Sequence, residues 1–352
     1  MSQPSTYRRS VITGPRQIEF EEVALPEPGP RQVLLKVAAA ALCTWEQRVY
    51  SGIDHWSYPL LGGHEFSGDV VAIGAGIMQP LAAGDQVAVA GLRRCGECWA
   101  CRRGYDNLCD NQHMPREPGR PSGPAGFGEY ALVDGYQIYR YPKRVHPFEA
   151  ALAEPLACVL HDVKRFMPRR GDTAVIVGAG IMGLLHLAAL HNSGALVVVS
   201  EPDPTRRAKA HEMGAHAVID PSTEDYVEAV RRLTEGRGAS VQYIAIGLPA
   251  VIEHAIQAAA KRGSVSVYAS VHPRGTSIQV DPNVFHHKEV VLSGSLAQDH
   301  EDFLDAVWSI AHQTIDLKPV LSGSFPLRQL ERAFAAAARP DTYRVFLTPN
   351  GL

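Results

Sequence analysis

The chain has 352 residues, 45% of them hydrophobic and 20% charged, a make-up that fits an ordinary globular protein long enough for two domains. Its formal charge is −3, so neither a nucleic-acid-binding nor an anionic-lipid-binding surface is indicated. The start, MSQPSTYRRSVITG, lacks the apolar core of a secretory leader, and a cytosolic chain with reduced thiols is expected.

Residues 1–150 carry short alternating apolar runs, such as RQVLLKVAAAAL and DQVAVAG, broken by Gly and Pro. These predict β-strands joined by many turns. Cys43 lies in AALCTWEQR, at the end of the first of these runs. His64 and Glu65 are adjacent in PLLGGHEFSGDVV, so from one strand they point to opposite faces. A sharp bend there would let His64 face a metal while Glu65 sits beneath it. The stretch RCGECWACRRGYDNLC then packs Cys95, Cys98, Cys101 and Cys109 at the spacing C-x2-C-x2-C-x7-C. Four thiolates so spaced suit a tetrahedral structural zinc with no open position. An iron–sulfur cluster and uncoordinated thiols or disulfides remain as alternatives. Arg94, Arg102 and Arg103 either offset the charge of such a centre or form a solvated run. Residues 112–128, rich in Pro and Gly, predict a loop.

From about residue 150 the rhythm changes. Glu154, in LAEPLACVLHDV, stands where this second region begins. Cys43, His64 and Glu154 together make three metal ligands with one position left for substrate, the pattern of a catalytic zinc. Taken singly, each is weak evidence: a lone cysteine has the plainer reading of a core thiol, and a glutamate before proline that of a helix start. Beyond it, TAVIVGAG, LVVVS, AVID, QYIAIG and SVSVYAS alternate with the helical patterns TRRAKAHEMG and VIEHAIQAAAKRG. That alternation predicts an α/β, doubly wound parallel sheet. The apolar run Thr173–Leu190 is long enough to suggest a membrane span. Its glycines and His186 point instead to strand, turn and helix. Gly178, Gly180 and Gly183 form G-x-G-x-x-G, with Ile181 and Met182 opening the helix. The first glycine turns, the second lets a pyrophosphate approach, and the third lets helix and strand pack. Glu201, at the end of the next strand, is placed to bind ribose hydroxyls of NAD and to repel the 2′-phosphate of NADP. Arg206 and Arg207 follow and could accommodate that phosphate, so NADP stays as the less favoured cofactor. A helix over HEDFLDAVWSIAHQT and a strand over YRVFLTP close the chain, and this tail is expected to fold back onto the first domain. Cys158 reads as a core thiol, and His161, His186, His191, His286 and His287 as structural or surface groups.

Gly63-His64-Glu65, followed by Gly68, Gly74 and Ile77, resembles the signature of the zinc-containing alcohol dehydrogenases of the medium-chain dehydrogenase/reductase superfamily. The four-cysteine lobe, Gly84-Asp85 and Glu154-Pro155-Leu156 fit the same pattern, over nearly the whole chain. Glu154 in place of a third-ligand cysteine makes the chain most similar to the polyol (sorbitol), butanediol and threonine dehydrogenase branch. The resemblance implies a GroES-like β-rich catalytic domain at 1–150, holding a structural zinc lobe at about 90–112. It implies a Rossmann domain at 151–293 and a return segment at 294–352. It further implies two zinc ions per chain, the catalytic one on Cys43, His64 and Glu154 with Glu65 exchanging onto it. An arginine at the position of Arg206 is common in this family with NAD. The implied reaction passes a hydride between a small alcohol or ketone and the nicotinamide, zinc stabilising the alkoxide. The implied substrate is a polyol, cyclitol, amino sugar or other secondary alcohol, and the implied assembly a cytoplasmic homodimer or homotetramer. An NADPH-dependent carbonyl reductase and a non-catalytic nucleotide-binding protein of the same fold are the rival readings.

The chain departs from that pattern in four places. Trp45 stands where relatives carry a Ser or Thr that takes the alcohol proton, with Thr44 one position early. Arg48 replaces an outer relay histidine. Glu65, Glu46 or a water chain would then carry the proton. Glu46 also replaces the Asp that orients the zinc histidine, one methylene longer. Ala297 and Gln298 replace an Arg-Tyr pair that contacts sorbitol. Trp45, Tyr50, His55 and Trp56 are expected either to bring aromatic bulk near the metal or simply to pack their loop.

Overall fold

The computed structural model describes residues 4–54, 56–112 and 121–351. His55 and part of the 112–128 loop lie outside the described residues. The chain forms two compact units, Met1–Ala157 with Gln298–Leu352, and Cys158–Ala297. The sequence reading put these joins near 151 and 294.

The first unit begins with β1 (Thr6–Gly14) and β2 (Gln17–Ala24), a separate antiparallel pair. There follow β3 (Gln32–Ala41), α1 (Thr44–Ser51), β4 (Glu65–Ile73) and β5 (Gln86–Ala90). A short helix α2 (Trp99–Arg102) lies in the cysteine lobe, before β6 (Tyr130–Asp134) and β7 (Ile138–Arg140). Helices α3 (Pro147–Ala151) and α4 (Ala153–Arg165) close this stretch.

The second unit alternates β8 (Thr173–Val177), α5 (Ile181–Leu190), β9 (Leu196–Ser200), α6 (Pro204–Glu212) and β10 (Ala217–Ile219). It continues with α7 (Tyr226–Leu233), β11 (Ala239–Ile244), α8 (Pro249–Ala258), β12 (Ala259–Val267), α9 (Asn283–Lys288) and β13 (Val291–Gly294). The tail is α10 (His300–His312), β14 (Leu321–Pro326), α11 (Leu330–Ala337) and β15 (Arg344–Thr348).

The main sheet of the first unit runs β14-β15-β3-β4-β5-β7, with β6 also on β3. β3 is central and almost wholly buried, as its continuous apolar sequence requires. Its register brings distant residues to one end of the sheet. Ala41 pairs with Glu65 on one side and with Phe346 on the other, both antiparallel. Cys43 follows Ala41 by two residues, His64 precedes Glu65, and Arg344 precedes Phe346 by two. All four therefore reach the same edge. The core beneath contains Val33, Leu35, Phe66, Val89, Phe334 and Leu347.

The second unit is a six-stranded, wholly parallel sheet in the order β10-β9-β8-β11-β12-β13. The order reverses between β8 and β11, the place where open sheets of this kind bind ligands beyond their carboxyl ends. Val175, Val198, Ile244 and Val265 pack on Ile252 and Ile256 of α8. One boundary differs from the sequence pattern. The helix predicted over 251–263 ends at Ala258, and Ala259–Val267 is strand. Pairing of β12 with β11 outweighs the helical preference of Ala259-Ala260-Lys261-Arg262.

Candidate functional site

Two triplets of potential metal ligands meet at His64. Cys43, Glu46 and His64 offer donor atoms within 4.8 Å of one another, and so do His64, Glu65 and Glu154. The local sequence explains each placement. Cys43 is the N-cap of α1, with its sulfur accepting from Trp45 N at 3.5 Å. Glu46 completes a capping box by accepting from Cys43 N at 3.2 Å. Gly63 has φ 90°, and a Cβ there would lie 2.5 Å from Phe127 N. Only glycine makes that bend, which turns His64 back from the head of β4. Glu154 sits in the first turn of α4.

The imidazole of His64 is held from behind. Its Nδ1 donates to Glu46 Oε1 at 2.7 Å, and the same oxygen accepts from Gly63 N (3.0 Å) and His64 N (3.2 Å). Nε2 is thereby left to face Glu154 Oε2 at 3.9 Å and Glu65 Oε1 at 4.0 Å. These gaps are too long for hydrogen bonds, yet within the ~4.2 Å that two ligands each about 2.1 Å from one ion can span. Both oxygens of Glu65 are buried, and neither has a hydrogen-bond partner among the described residues. Arg344, itself buried, contributes charge rather than an aligned hydrogen bond. Its Nη2 lies 3.0 Å from Glu65 Oε1, and its Nη1 donates to Leu42 O at 2.9 Å.

The electrostatics match this donor set. Burial pushes Glu65 up to about 7, against the pull of Arg344 and His64. Burial, and then the Glu65 carboxylate, also raises the Cys43 thiol. Burial works against a charge on His64, but Glu46 and Cys43 outweigh it and hold its pKa well above the usual imidazole value. For Glu46, burial is outweighed by His64 and by the backbone N–H groups, and its carboxyl lies below the usual range. A buried sulfur, imidazole and carboxylates, with orphaned oxygens, form a set that a divalent cation would satisfy in place of protons. The residues present fit zinc.

The cysteine lobe fits a second zinc. Cys95, Cys98, Cys101 and Cys109 place their sulfurs within 4.8 Å of one another, and none forms a disulfide. Cys95 and Cys101 sulfurs are 3.9 Å apart, far beyond an S–S bond and near the ~3.8 Å edge of a tetrahedron with Zn–S of about 2.3 Å. Backbone N–H groups of Glu97, Cys98, Cys101 and Asn111 point at the sulfurs, at 3.3–3.5 Å. Bonds from the Asn111 side chain and from Cys98 and Glu97 N–H bring the Cys95 thiol down to about 6. Arg94 is not part of a solvated run: its side chain is buried and donates to Gln298 O at 2.6 Å. Asp106 in the lobe meets His300 Nε2 at 2.8 Å, and Tyr139 OH meets His300 Nδ1 at 3.0 Å, tying lobe to α10.

In the second unit the glycine turn has the form expected. Gly178 has φ 101°, and a Cβ on Gly183 would lie 1.8 Å from Gly178 O. A Cβ on Gly180 would meet nothing within 4 Å. Gly180 is the N-cap of α5 without a side-chain cap, and Ile181 and Met182 form the first turn. Glu201 is buried, its two oxygens accepting from Ala179 N (2.7 Å) and Asp203 N (3.0 Å). It thus sits directly against the glycine turn. Arg207 is occupied: it donates to Glu201 O and Pro202 O and pairs with Asp220 at 2.8 Å. Arg206 N caps onto Asp203 Oδ1 at 2.9 Å. His186 is structural, its ring nitrogens engaged by Met182 O and Asp162.

The remaining expected residues divide. Trp45 stands beside His64, its ring 5.5 Å from that of His64 and 5.0 Å from that of Trp56. Tyr50 stacks on Phe334 at 4.3 Å, and Trp45, Tyr50 and Trp56 all pack against the core of this unit. Thr44 is exposed at the start of α1. Arg48 pairs with Asp54 at 2.8 Å. Sequence reasoning missed Arg344; the signal was a lone arginine heading the apolar strand RVFLT. No helix among the described residues is long and apolar enough to cross a membrane.

A β-rich unit with a sulfur–imidazole–carboxylate cluster, and a parallel unit with a glycine turn, define a dinucleotide-dependent dehydrogenase. Residues 29–143 match the alcohol dehydrogenase GroES-like domain, and residues 182–312 match the zinc-binding dehydrogenase domain. The chain belongs to the zinc-dependent alcohol dehydrogenases of the medium-chain superfamily, oxidoreductases acting on CH–OH groups. It is 38% identical over 282 residues, 78% of each chain, to an L-threonine 3-dehydrogenase from Pyrococcus horikoshii. It is 34% identical over 311 residues, 88% of each chain, to a 2-dehydro-3-deoxy-L-galactonate 5-dehydrogenase from Pseudoalteromonas atlantica. Its fold is similar to that of a zinc-binding dehydrogenase from Sinorhizobium meliloti bound to NADP. There the TM-score is 0.90 at 29% identity, covering 98% of this chain and 100% of the other.

Proposed function

We propose that this protein is a two-zinc, NAD-dependent dehydrogenase. It would convert a secondary alcohol of a small hydroxylated metabolite, such as a polyol, cyclitol or amino sugar, reversibly to the ketone. In balance, the secondary alcohol and NAD+ give the ketone, NADH and a proton: the carbinol C–H leaves with its electron pair, and the hydroxyl gives up its proton. The observation that carries this reading is that two donor triplets, Cys43–Glu46–His64 and His64–Glu65–Glu154, share His64, whose Nε2 is left facing the carboxylates of Glu65 and Glu154. Zinc supplies Lewis acidity toward the substrate oxygen, and NAD supplies the hydride acceptor. The chain's own residues do the rest. Glu46 fixes the tautomer and direction of His64, and Arg344 balances the charge of Glu65. The names of two relatives, a 3-dehydrogenase and a 5-dehydrogenase, place their oxidation at internal carbons, which favours a secondary alcohol here.

NAD is favoured over NADP because Glu201 lines the glycine turn and Arg207 is already paired with Asp220. The NADP carried by the Sinorhizobium meliloti relative keeps an NADP-dependent reductase as the second reading. A catalytic domain at 1–150 with a return at 294–352, a Rossmann domain at 151–293, and a cytoplasmic homodimer or homotetramer belong to the same proposal by analogy. Metal content per chain, measured with NAD and NADP reduction across secondary alcohols, tests it. Two zincs and NADH formation are expected. A metal-free, active chain, or none of the alcohols reducing either cofactor, would sink it.

A further inference from the structure

We infer that Asp162 and His186 are positioning residues for the dinucleotide: their buried pair anchors the first turn of α5, where the cofactor pyrophosphate is received. This rests on the dehydrogenase reading above and extends it to side chains that touch neither cofactor nor metal. Both residues, and Ser266 beside them, are fully buried in the second unit. The imidazole leans back along α5, as helical side chains do, and its Nδ1 lies 2.8 Å from Met182 O in the first turn. A carbonyl oxygen only accepts, so Nδ1 carries a proton. Nε2 lies 3.1 Å from Asp162 Oδ2, and Asp162 Oδ1 accepts from Ser266 Oγ of β12 at 2.5 Å. A further proton therefore bridges Nε2 and Oδ2. The rings of Tyr243 and Tyr268 flank the imidazole, their centroids 5.0 and 4.8 Å from its own. The bonds run unbroken from Met182 through His186 and Asp162 to Ser266, tying α5 to α4 and to β12.

Such a pair is a poor source of stability. Desolvating two polar groups costs about as much as their attraction returns, and apolar side chains of similar volume often do as well. What the pair supplies is placement: each bond fixes an atom, where two leucines would only fill a volume. The atom fixed here lies in the turn that meets the cofactor. Gly180 caps α5 without a side chain, so the N–H groups of the first turn face the pyrophosphate unobstructed. That turn is held from the opposite side, through Met182 O.

The test is binding to the zinc-loaded protein, with no alcohol present. NADH is titrated by its fluorescence, ADP-ribose and adenosine by competition against it, and Tm is measured alongside. Asp162→Leu/His186→Leu removes both polar groups. Asp162→Asn keeps every bond in neutral form: Nδ1 on Met182 O, the amide N–H2 on Nε2, and Ser266 Oγ on the amide oxygen. The leucine pair should weaken NADH and ADP-ribose about tenfold and adenosine by no more than about twofold. Its Tm should stay within about 3 °C of wild type. Asp162→Asn should hold each ligand within about threefold. Should the leucine pair not fold, Asp162→Asn/His186→Leu, which cuts only the tie to Met182, is read in its place with the same expectations. Equal losses on adenosine and ADP-ribose would show a general loosening of the unit, and unchanged NADH binding would show packing alone. Either overturns the inference, as does an Asp162→Asn loss as large as that of the leucine pair. Those results leave the dehydrogenase reading standing. Wild type that binds no NADH would sink that reading and the inference together.

Discussion

Glu46 shows how one residue can serve local structure and site at once. Its Oε2 closes the α1 capping box on Cys43 N, while Oε1 gathers His64 Nδ1, His64 N and Gly63 N. All four partners are donors, so a carboxylate satisfies them and an amide does not. In Glu46→Gln, either orientation of the amide sets an N–H2 against an N–H. Zinc affinity is expected to fall about tenfold to hundredfold, read by competition with a chromophoric chelator. Glu46→Asp, one methylene shorter, should fall by less. Affinity unchanged in both variants would contradict the positioning role. The proton-relay alternative for Glu46 loses support for the same reason, since its acceptor positions are taken. Glu46 was legible through the family resemblance, which sets a carboxylate there behind the histidine; its capping box on Cys43 was not read from the sequence. The packing of Tyr50 was left open because sequence spacing does not show which face of a short helix turns to the core.

At the scale of elements, the glycine turn separates packing from ligand binding. Gly183 has no room for a methyl group, since the carbonyl of Gly178 occupies the place; Gly180 has nothing near it. Gly183→Ala should therefore force β8 and α5 apart and destabilise the protein by about 1–3 kcal/mol, seen as a lower Tm. Gly180→Ala should leave Tm nearly unchanged. Its new methyl would project toward the cofactor pyrophosphate and weaken NAD about tenfold in a binding titration. If the two variants behaved alike, the division of labour between these glycines would be wrong. The parallel sheet itself was readable, because runs such as TAVIV and LVVVS admit little besides buried strands. The end of α8 was not. Helical preference continues through Arg262, and only the pairing of Val241 with Ser264 and its neighbours pulls that segment into strand.

At the scale of the whole molecule, the candidate metal ligands were grouped by residue type and by the family resemblance, while the register that sets them beside Arg344 was not legible. It depends on β3 bringing together the chain's start and its tail, as when Arg344 donates to Leu42 O across 302 positions. Sequence periodicity carries no information about such a register, so Arg344 went unseen. On the proposed function the two donor sets have different work in the first unit, and their removal should have different signatures. The cysteine lobe is a stretch of short helices and turns whose sulfurs take the place of a core, so a metal held there would act on folding. The cluster at His64 rests on a sheet end already held by β3, β4 and β15, so a metal held there would act on chemistry. Cys109→Ser should retain one zinc per chain and melt about 5 °C lower, with kcat/KM per folded molecule reduced only a few-fold. Cys43→Ser should also retain one zinc, keep Tm within about 2 °C, and lose turnover by about a hundredfold or more. Metal analysis, calorimetry and NADH formation on the same preparations distinguish the cases. Should Cys109→Ser abolish turnover at an unchanged Tm, the lobe would be the reactive centre, and the assignment of roles would have to be exchanged.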